Sequence, residues 1–543
     1  MADNNLRKLL CKGPKYREQV KIDWNDARYH INVGLDKFID KWCRKNALPK
    51  DVMSVWLNKV LEGVDNRIND LKNNMLPHRV TQPLKDPLSK SCLKNLQNNY
   101  IIVPIDKATG NIAFVCKRFY ARVIVKELGL DRNSRSQTYI HEVDSNVPDT
   151  INKHFSDLAS IFRFSALDDG NKCLPRMYWL PKMHKTPTKF RFIVAGPVCS
   201  VKPLSKAVTT AFKLFYRQIK MYNKKATFFS GVNTFWVIQD NKPVTTALKN
   251  LNKRNGAKRI STFDFSTLYT KIPHDKLIYV LNSLVDFCFK GGLCRYIAIT
   301  DFGARWVDKV DSYKTWFDKD SMKAAIKYLL DNSFFTVGNC LFRQIIGIPM
   351  GSDPAPFFAN LFLYFYESKW VKTVMKNDLR RARRFGNTFR FIDDLNALND
   401  GGEFERCYHE IYPPEMELGK ENVSDNAASF LDLNIFIIDS KFVVRLYDKR
   451  DYFSFSIRMP YKCSNMPSNI FYSSIGAEIL RIARATNIRE HFIASARQIL
   501  YRMRKQGALE HKVINTINKT FGRHPHDFSY ITRNAQEIVN LLN

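Results

Sequence analysis

Two adjacent carboxylates, Asp393 and Asp394, interrupt the otherwise apolar stretch FRFIDDLNAL at Phe389–Leu398. The residues on either side predict a β-hairpin with both aspartates at its turn. Two anions about 4 Å apart repel by several kcal/mol at an effective dielectric of about 20, so such a pair normally shares a proton or a cation. An isolated Asp-Asp is most often only a polar turn, whereas a pair with further acidic partners indicates a divalent metal site.

A third carboxylate, Asp264, stands at the end of a predicted strand in the sequence RISTFDFSTLYTKI at 259–272. Pro273 then predicts the start of a helix, because apolar residues follow it at helical spacing. A metal site built from two strands would therefore have three carboxylates available to it.

Between these two stretches lies Gly347–Glu367, which reads as a glycine-rich turn followed by an apolar helix. Gly347 and Gly351 would let the backbone approach a flat ligand closely. A carboxylate strand, a glycine turn with its helix and a carboxylate hairpin, in this order, resemble the palm of a template-directed polymerase.

The composition favours a polyanionic partner. The chain has 543 residues, with 85 Lys and Arg against 52 Asp and Glu, which gives a formal charge of +33. Lys and Arg that neutralise phosphates release counterions, and this drives binding to nucleic acid. The eleven cysteines form no CxxC pair and no Cys/His cluster at zinc spacing, so we expect reduced thiols in a cytosolic or nuclear protein.

We expect no secretory signal peptide, no membrane-spanning segment and no membrane partner. Basic residues within the first 17 positions leave no apolar run there, and the longest apolar stretch, Pro354–Tyr366, is too short to span a bilayer. We therefore expect synthesis in the cytoplasm and action in the nucleus.

Residues 1–95 show helical spacing of apolar residues among many cations. Next, two strands are predicted at Tyr100–Val103 and Ile112–Val115, joined by a turn that contains Gly110 and has Asp106 and Lys107 at its edge. Near the end of the chain, the apolar spacing and the cations of Ser474–Lys505 predict a basic amphipathic helix.

A series of sequence words gives this chain a resemblance to a known family. It looks like a reverse transcriptase, in particular that of Penelope-like retroelements, which are related to telomerase. The words follow the family's order from about Asn98 to Asp527: the DKxxG box at Asp106–Gly110, LPKMHK, FRFIV, TFDFSTLYTKIPH, GIPMGS, FIDD, ASFLDL and IARATN.

The resemblance implies an α+β fold of the right-hand polymerase type, with fingers, palm and thumb, and a mostly helical N-terminal extension. The implied domains are the extension at 1–95, the DKxxG region and fingers at 96–255, the palm at 256–440, and the primer grip with a helical thumb at 441–543. The implied activity is RNA-directed DNA synthesis, with an RNA template, a DNA primer or target and deoxynucleoside triphosphates as partners.

The resemblance also implies a two-metal site. Asp264 and Asp393 would bridge two Mg²⁺ ions, with Mn²⁺ as an alternative, while Asp394 and the carbonyl of Phe265 would be further ligands. The implied nucleotide pocket contains Lys182 and Arg191 on the triphosphate, Tyr269 against the sugar C2′ face, Gly351, and Met350 where many reverse transcriptases carry Gln.

Contacts with template and primer are implied along the rest of the chain. Lys185 would touch template phosphates, and Gly347 and Ser352 would lie beneath the template–primer pair. The strand predicted in KFVVRLYDKRDYFSF, which comes after the strand in ASFLDLNIFII, occupies the place of the primer grip. The basic helix occupies the place of the thumb. The implied primer and template contacts in these two elements are Arg445, Tyr447, Lys449, Arg481 and Arg484.

Two other functions remain open from sequence: an RNA-templated RNA polymerase, against which Tyr269 argues, and an inactive nucleic-acid-binding scaffold derived from such an enzyme. Many Penelope-like proteins continue into a GIY-YIG nuclease, and no GIY…YIG pair follows Gly507. Either the protein lacks this nuclease or the sequence stops short of it. We expect it to extend pre-existing DNA 3′ ends or to depend on breaks made elsewhere, as in target-primed synthesis.

Overall fold

The computed structural model describes residues 4–17, 22–74, 86–131, 138–164, 172–290, 295–455, 460–532 and 534–542. Over these ranges the chain combines helices with sheets whose strands pair almost entirely antiparallel, which makes it an α+β protein. None of the described helices combines the length and the apolar composition that crossing a bilayer requires.

The first part of the chain is helical, as predicted. Asp23 caps the second helix by accepting hydrogen bonds from the backbone N–H groups of Asn25 and Asp26. The four helices are α1 (Asn4–Lys12), α2 (Trp24–Asn46), α3 (Ser54–Asn74) and α4 (Pro87–Asn99).

A hairpin and a mixed region follow. Their elements are β1 (Tyr100–Ile105), β2 (Ala108–Cys116), α5 (Lys117–Glu127), β3 (Tyr139–His141), α6 (Val147–Ser160), β4 (Arg176–Lys182), β5 (Lys189–Ala195), α7 (Lys202–Ser230) and α8 (Lys242–Asn252). The predicted turn around Gly110 is wrong: the turn is Asp106–Lys107, where Lys107 is left-handed (φ 64°), and Gly110 lies within β2.

The middle of the chain carries the predicted carboxylate strand, glycine turn and hairpin. Its elements are β6 (Ile260–Phe265), α9 (Leu268–Lys271), α10 (His274–Lys290), β7 (Tyr296–Thr300), β8 (Gly303–Val307), β9 (Thr315–Phe317), α11 (Lys319–Asp331), β10 (Phe334–Val337), β11 (Cys340–Gln344), α12 (Ala355–Asn377), α13 (Leu379–Arg384), β12 (Thr388–Phe391), β13 (Asp394–Leu398), α14 (Glu403–Ile411) and β14 (Leu418–Lys420).

The last part contains a three-stranded meander and a helical bundle: β15 (Ala427–Phe430), β16 (Leu433–Ile438), β17 (Lys441–Leu446), α15 (Ser468–Arg484), α16 (Arg489–Lys505), α17 (Glu510–Arg523) and α18 (Ala535–Leu542). The single helix predicted over Ser474–Lys505 is wrong, because two helices, α15 and α16, share that range. Thr486 and Asn487 break it by hydrogen-bonding to the backbone of β17 at Val444 and Phe442.

Two sheets frame the candidate site. One has the order β12-β13-β6-β14, and the other has the order β3-β11-β10-β4-β5. The largest apolar core lies behind the first sheet, where Phe212 of α7, Val280 of α10 and Phe358 of α12 are fully buried with Phe263 of β6. A separate core holds α15, α16, α17 and α18 together.

Candidate active site

Three carboxylates meet at one edge of the sheet β12-β13-β6-β14. Asp264 lies directly opposite Asp394 in the antiparallel register of β6 and β13. Asp393 stands in the turn between β12 and β13, and its carbonyl oxygen accepts a hydrogen bond of 3.2 Å from the N–H of Phe265. Carboxylate oxygens of the three residues all lie within 4.8 Å of one another. Sequences far apart in the chain thus form one acidic cluster.

The turn that carries Asp393 is supported from below. Ile392 has a left-handed backbone (φ 57°), which is unusual for a β-branched residue. The fully buried Arg390 donates a hydrogen bond of 3.0 Å to the Ile392 carbonyl oxygen and pairs with the equally buried Glu367. Asn360 accepts two further hydrogen bonds from Arg390. This network fixes the position of the turn.

The electrostatics of the cluster fit a cation. Burial raises the pKa of Asp264 to about 6, and the charge of Asp393 adds to that shift. Burial also raises the pKa of Asp394 to about 7, again with Asp393 as the next cause. Clustered carboxylates that resist ionisation are stabilised by a divalent ion with oxygen ligands. Phe265, whose carbonyl we predict as a further ligand, is buried beside Asp264.

The glycine turn at Gly347–Gly351 lies between α9 and β5, and the close approach of these two elements requires glycine at both positions. A Cβ atom on Gly347 (φ 83°) would lie 2.2 Å from the carbonyl oxygen of Tyr269, and one on Gly351 (φ 120°) would lie 2.5 Å from that of Val194. Backbone hydrogen bonds hold the turn on both sides. The N–H of Ile348 donates to the carbonyl oxygen of Tyr269 at 2.7 Å, and the N–H of Val194 donates to the carbonyl oxygen of Met350 at 2.8 Å. The turn therefore joins α9 to β5.

Tyr269, predicted for the nucleotide pocket, and Ser352, predicted to lie beneath the template–primer pair, are placed at this turn. The side chain of Tyr269 is partly buried, and burial raises its pKa to about 12, with the charge of Asp393 as a second cause. Ser352 is half-buried at the end of the turn. The next residue, Asp353, accepts a hydrogen bond of 2.8 Å from Lys202 at the start of α7.

Lys182 and Arg191 lie on the two strands of a cationic hairpin, β4–β5, where Leu180 is opposite Arg191 and Lys189 is opposite Lys182. Arg191 forms an ion pair of 3.2 Å with the buried Asp106 of the DKxxG box. Burial lowers the pKa of Lys182, and nearby Arg191 lowers it further, whereas Asp106 opposes the shift. The box therefore contributes the carboxylate that holds Arg191.

A cavity of about 250 Å³ adjoins Asp394 and contains two of the three residues predicted for the primer grip. Its lining includes Lys185, Glu421, Tyr447 and Lys449. The charge of Lys449 acts on both Asp264 and Asp394, lowering their pKa values against the effect of burial. The cavity is thus continuous with the acidic cluster.

The remaining predicted contacts lie outside this cavity. Arg445 is exposed on β17, with its guanidinium 5.3 Å from the ring centre of Phe436. Arg481 forms ion pairs with Asp448 and Glu478. Arg484 pairs with Asp527 at 3.0 Å.

Asp448 belongs to a network of ion pairs with Arg450, Arg481 and Glu478 that lies next to Lys449 and fixes its position. Burial would raise the pKa of Asp448, but the hydrogen bonds and charge of Arg450 outweigh it and lower that pKa to about 2. Arg450 is thereby fixed on one side of the short turn that carries Lys449. Contact of Arg481 with nucleic acid would require it to leave this network.

Sequence reasoning missed three residues of the site. Arg390 and Glu367 support the turn that carries Asp393, and Glu421 is a fourth carboxylate that raises the pKa values of Asp264 and Asp394. A charged residue between two phenylalanines of a strand, as at Arg390, is a signal for a buried ion pair. No local signal distinguishes Glu421.

Comparison with known proteins shows the fold. No family model matches the chain, and no curated protein matches it. Among solved structures, telomerase from Candida albicans in complex with the TWJ fragment of telomeric RNA is similar over 84% of this chain and 72% of that chain, with 12% identity and a TM-score of 0.53.

Two structures of telomerase from Candida tropicalis are also similar. The apo form matches over 87% of this chain and 83% of that chain, and the complex with the TWJ fragment over 84% and 69%; both have 11% identity and a TM-score of 0.45. The Candida albicans match confirms the predicted α+β right-hand polymerase fold.

Proposed function

We propose that this protein is a reverse transcriptase of the Penelope-like kind, an RNA-directed DNA polymerase that extends a DNA 3′ end along an RNA template. The observation that carries the proposal is the cluster of Asp264, Asp393 and Asp394 within 4.8 Å, next to Tyr269. A scaffold that only binds nucleic acid needs surface cations. Three partly buried anions have an unfavourable free energy unless they hold a cation that the function requires.

Mg²⁺, with Mn²⁺ as the alternative, suits the all-oxygen ligand set of the cluster. Divalent ions bound there would lower the pKa of the primer 3′-hydroxyl and stabilise the charge on the transferred phosphoryl group. The protein's own contribution is rigidity. β6 and β13 hold Asp264 and Asp394 in strand register, and Arg390 holds the turn of Asp393.

The nucleotide would lie between the cluster and the β4–β5 hairpin. Lys182 and Arg191 would bind its triphosphate, because Lys and Arg stabilise the charge that develops in phosphoryl transfer. Asp106 would orient the guanidinium of Arg191. Tyr269 would lie against the C2′ face of the sugar and exclude the 2′-hydroxyl of ribonucleotides.

The primer end would occupy the cavity that joins Asp394 to Tyr447 and Lys449. Lys185, on the same cavity, would contact a phosphate of either strand. Gly347, Gly351 and Ser352 would lie beneath the newest base pair. They lie on a turn packed closely against the backbone of Tyr269 and Val194, where neither glycine has room for a Cβ atom.

Primer extension by purified protein tests the proposal, with an RNA template, a DNA primer, deoxynucleotides and Mg²⁺. The double variant Asp393→Asn/Asp394→Asn is expected to lose synthesis while it keeps its affinity for the primer–template. Preference of the unmodified protein for ribonucleotides would favour an RNA-templated RNA polymerase instead. Tight binding without synthesis, across primers and both metals, would favour a scaffold.

A further inference from the structure

Helix α7 carries a row of cations that the proposed active site does not use. Its sequence, KPLSKAVTTAFKLFYRQIKMYNKKATFFS, contains no acidic residue. Five exposed cations fall within a sector of about 60° of its surface at 3.6 residues per turn, opposite the buried face. We call them the α7 stripe: Lys206, Lys213, Arg217, Lys220 and Lys224.

The stripe has no acidic partner in the described part of the chain. None of its five cations forms an ion pair there, whereas Lys202, one turn earlier, pairs with Asp353. Like charges at spacings of three and four residues destabilise a helix by a few tenths of a kcal/mol per pair. Charges retained in such a row are best explained by an anion that lies along it.

A groove runs beside the stripe. It has a volume of about 700 Å³ and lies between α7 and the turn that joins β7 to β8. Lys213, Arg217 and Lys220 line one side, and Phe302, half exposed in the turn, lines the other. Asp301 also lines the groove, and its carboxylate is paired with Arg44 of α2. The groove thus combines an excess of cations with an aromatic ring, which is the combination that single-stranded nucleic acid prefers.

The far end of α7 offers further aromatic surface. Phe228 and Phe229 are 83% and 84% exposed, which is unusual for phenylalanine. Phe228 follows Lys224 by four residues, about one turn, so it continues the direction of the stripe, whereas Phe229 projects from another side of α7. Every base has a face that can stack on such rings.

The near end of α7 adjoins the proposed active site. Lys202 and Ser205 both hydrogen-bond to Asp353, which directly follows Ser352 of the glycine turn. Phe357, in the first turn of α12 and five residues after Ser352, lies in the wall of the groove. A strand leaving the site on this side would therefore meet the stripe first.

We propose that the α7 stripe and its groove bind the unpaired 5′ arm of the RNA template before it is copied. The assignment to template RNA rests on the proposed function. The stripe from Lys206 to Lys224 is about 27 Å long at about 1.5 Å per residue, which matches about eight stacked nucleotides at about 3.4 Å each.

A single strand fits this place better than a duplex. A helix that reads a duplex must enter its major groove, which is about 12 Å wide. α7 cannot enter it, because its opposite face is buried in the core through Phe212 and Phe215, and the β7–β8 turn lies beside its exposed face.

The test measures how much an arm adds to binding. An RNA template is annealed to a DNA primer and carries a 5′ arm of about two or about twelve nucleotides, the second exceeding the stripe. Affinity is followed by fluorescence anisotropy at several salt concentrations. We expect the long arm to tighten binding to the unmodified protein by about tenfold or more at low salt, as several phosphate contacts would.

The triple variant Lys213→Ala/Arg217→Ala/Lys220→Ala is expected to lose most of this gain, and its salt dependence should fall by a slope of about 2, as three lost contacts to a single strand require. The matched control is Lys253→Ala/Arg254→Ala/Lys258→Ala. It removes the same charge from three exposed residues before β6, at the strand end opposite Asp264, and should keep the gain.

All six positions are exposed, so thermal melting should show folded variants. The inference would be overturned if the gain in affinity from the long arm survived in the stripe variant, or if the control variant lost it equally. It would also be overturned if only a DNA arm gave this gain. Failure of the proposed function would be seen separately. If the unmodified protein synthesised nothing, but the stripe variant still lost the gain in affinity from the long arm, strand binding by α7 would stand without polymerase activity.

Discussion

The guanidinium of Arg390 donates a hydrogen bond of 3.0 Å to the carbonyl oxygen of Ile392, the residue before the paired aspartates. Its other contacts, to Glu367 and Asn360, are buried in the body of the protein. The position of the turn that carries Asp393 is therefore set by an ion pair beneath the sheet. A buried pair is costly to break, by about 3–5 kcal/mol when one partner is removed.

This support can be tested with Arg390→Lys, which keeps the charge and loses the planar five-donor fork. We expect kcat for nucleotide addition to fall on the order of 10- to 100-fold, as displacement of a reacting group by about 1 Å does, while KM for the nucleotide changes little. The control Arg381→Lys alters another palm ion pair, that with Glu403. Equal kcat values for the two variants would show that Arg390 does not position the turn.

The ion pair between Asp106 and Arg191 gives the DKxxG box a testable role. Asp106→Asn removes the charge that pairs with Arg191 through Oδ1. Oδ2 of Asp106 has no hydrogen-bond partner among the described residues. We expect KM for deoxynucleotides to rise by about 10- to 100-fold, the loss of one charge-assisted contact of about 1.5–3 kcal/mol, with a smaller change in kcat.

The matched control for Asp106 is Glu142→Gln, which breaks the ion pair of Glu142 with Arg343 between β3 and β11, away from β4 and β5 in the same sheet. Steady-state kinetics with one varied nucleotide separates the two variants. A nucleotide KM that rises as much in Glu142→Gln would mean that the box acts only through the stability of the sheet.

Tyr269 is expected to select deoxynucleotides. Tyr269→Ala should admit ribonucleotides by removing the ring that blocks the 2′-hydroxyl, and single-nucleotide incorporation measures the ratio of kcat/KM for the two sugars. Tyr279→Ala, at an exposed tyrosine of α10, is the control. Unchanged discrimination in Tyr269→Ala would place the steric gate at another residue.

The carboxylate cluster should make the metal-free protein more stable as the pH falls from about 8 towards 5. The folded-state pKa values of Asp264 and Asp394, about 6 and about 7, lie above their ordinary value of 3.8, so the folded protein binds protons more tightly than the unfolded chain. The double variant Asp264→Asn/Asp394→Asn should be more stable than the unmodified protein at pH 8 by a few degrees in Tm, roughly the effect of 1 kcal/mol or more.

That difference in Tm should shrink at low pH, and Mg²⁺ at pH 8 should raise Tm only in the unmodified protein, because a ligand stabilises the state that binds it. Differential scanning fluorimetry in chelator measures both effects. If Asp275→Asn, at an exposed carboxylate of α10, reproduced the change, the pH effect would not come from the cluster.

The hairpin of Asp393 and Asp394, the strand that carries Asp264 and the helix after Pro273 were predictable because local patterns specify them. Alternating apolar residues, a proline at a helix start and turn residues act over a few positions. The resemblance of the sequence words supplied the order of the parts.

Long-range partners were not predictable in this way. Asp106 and Arg191 are 85 positions apart in sequence, and the pairing of Arg390 with Glu367 spans 23. The break between α15 and α16 likewise depends on β17, since Thr486 and Asn487 bond to its backbone while the apolar spacing continues through them. Tertiary contacts overrode the local pattern there.

Template-directed addition of a single nucleotide tests the central claim most directly. RNA templates that differ in one base are paired with a DNA primer, each deoxynucleotide is offered alone with Mg²⁺, and Asp264→Asn is compared with the control Asp275→Asn. The account predicts that only the complementary deoxynucleotide is added, and that Asp264→Asn alone abolishes addition. Addition that ignores the template base, or that persists in Asp264→Asn, would contradict it.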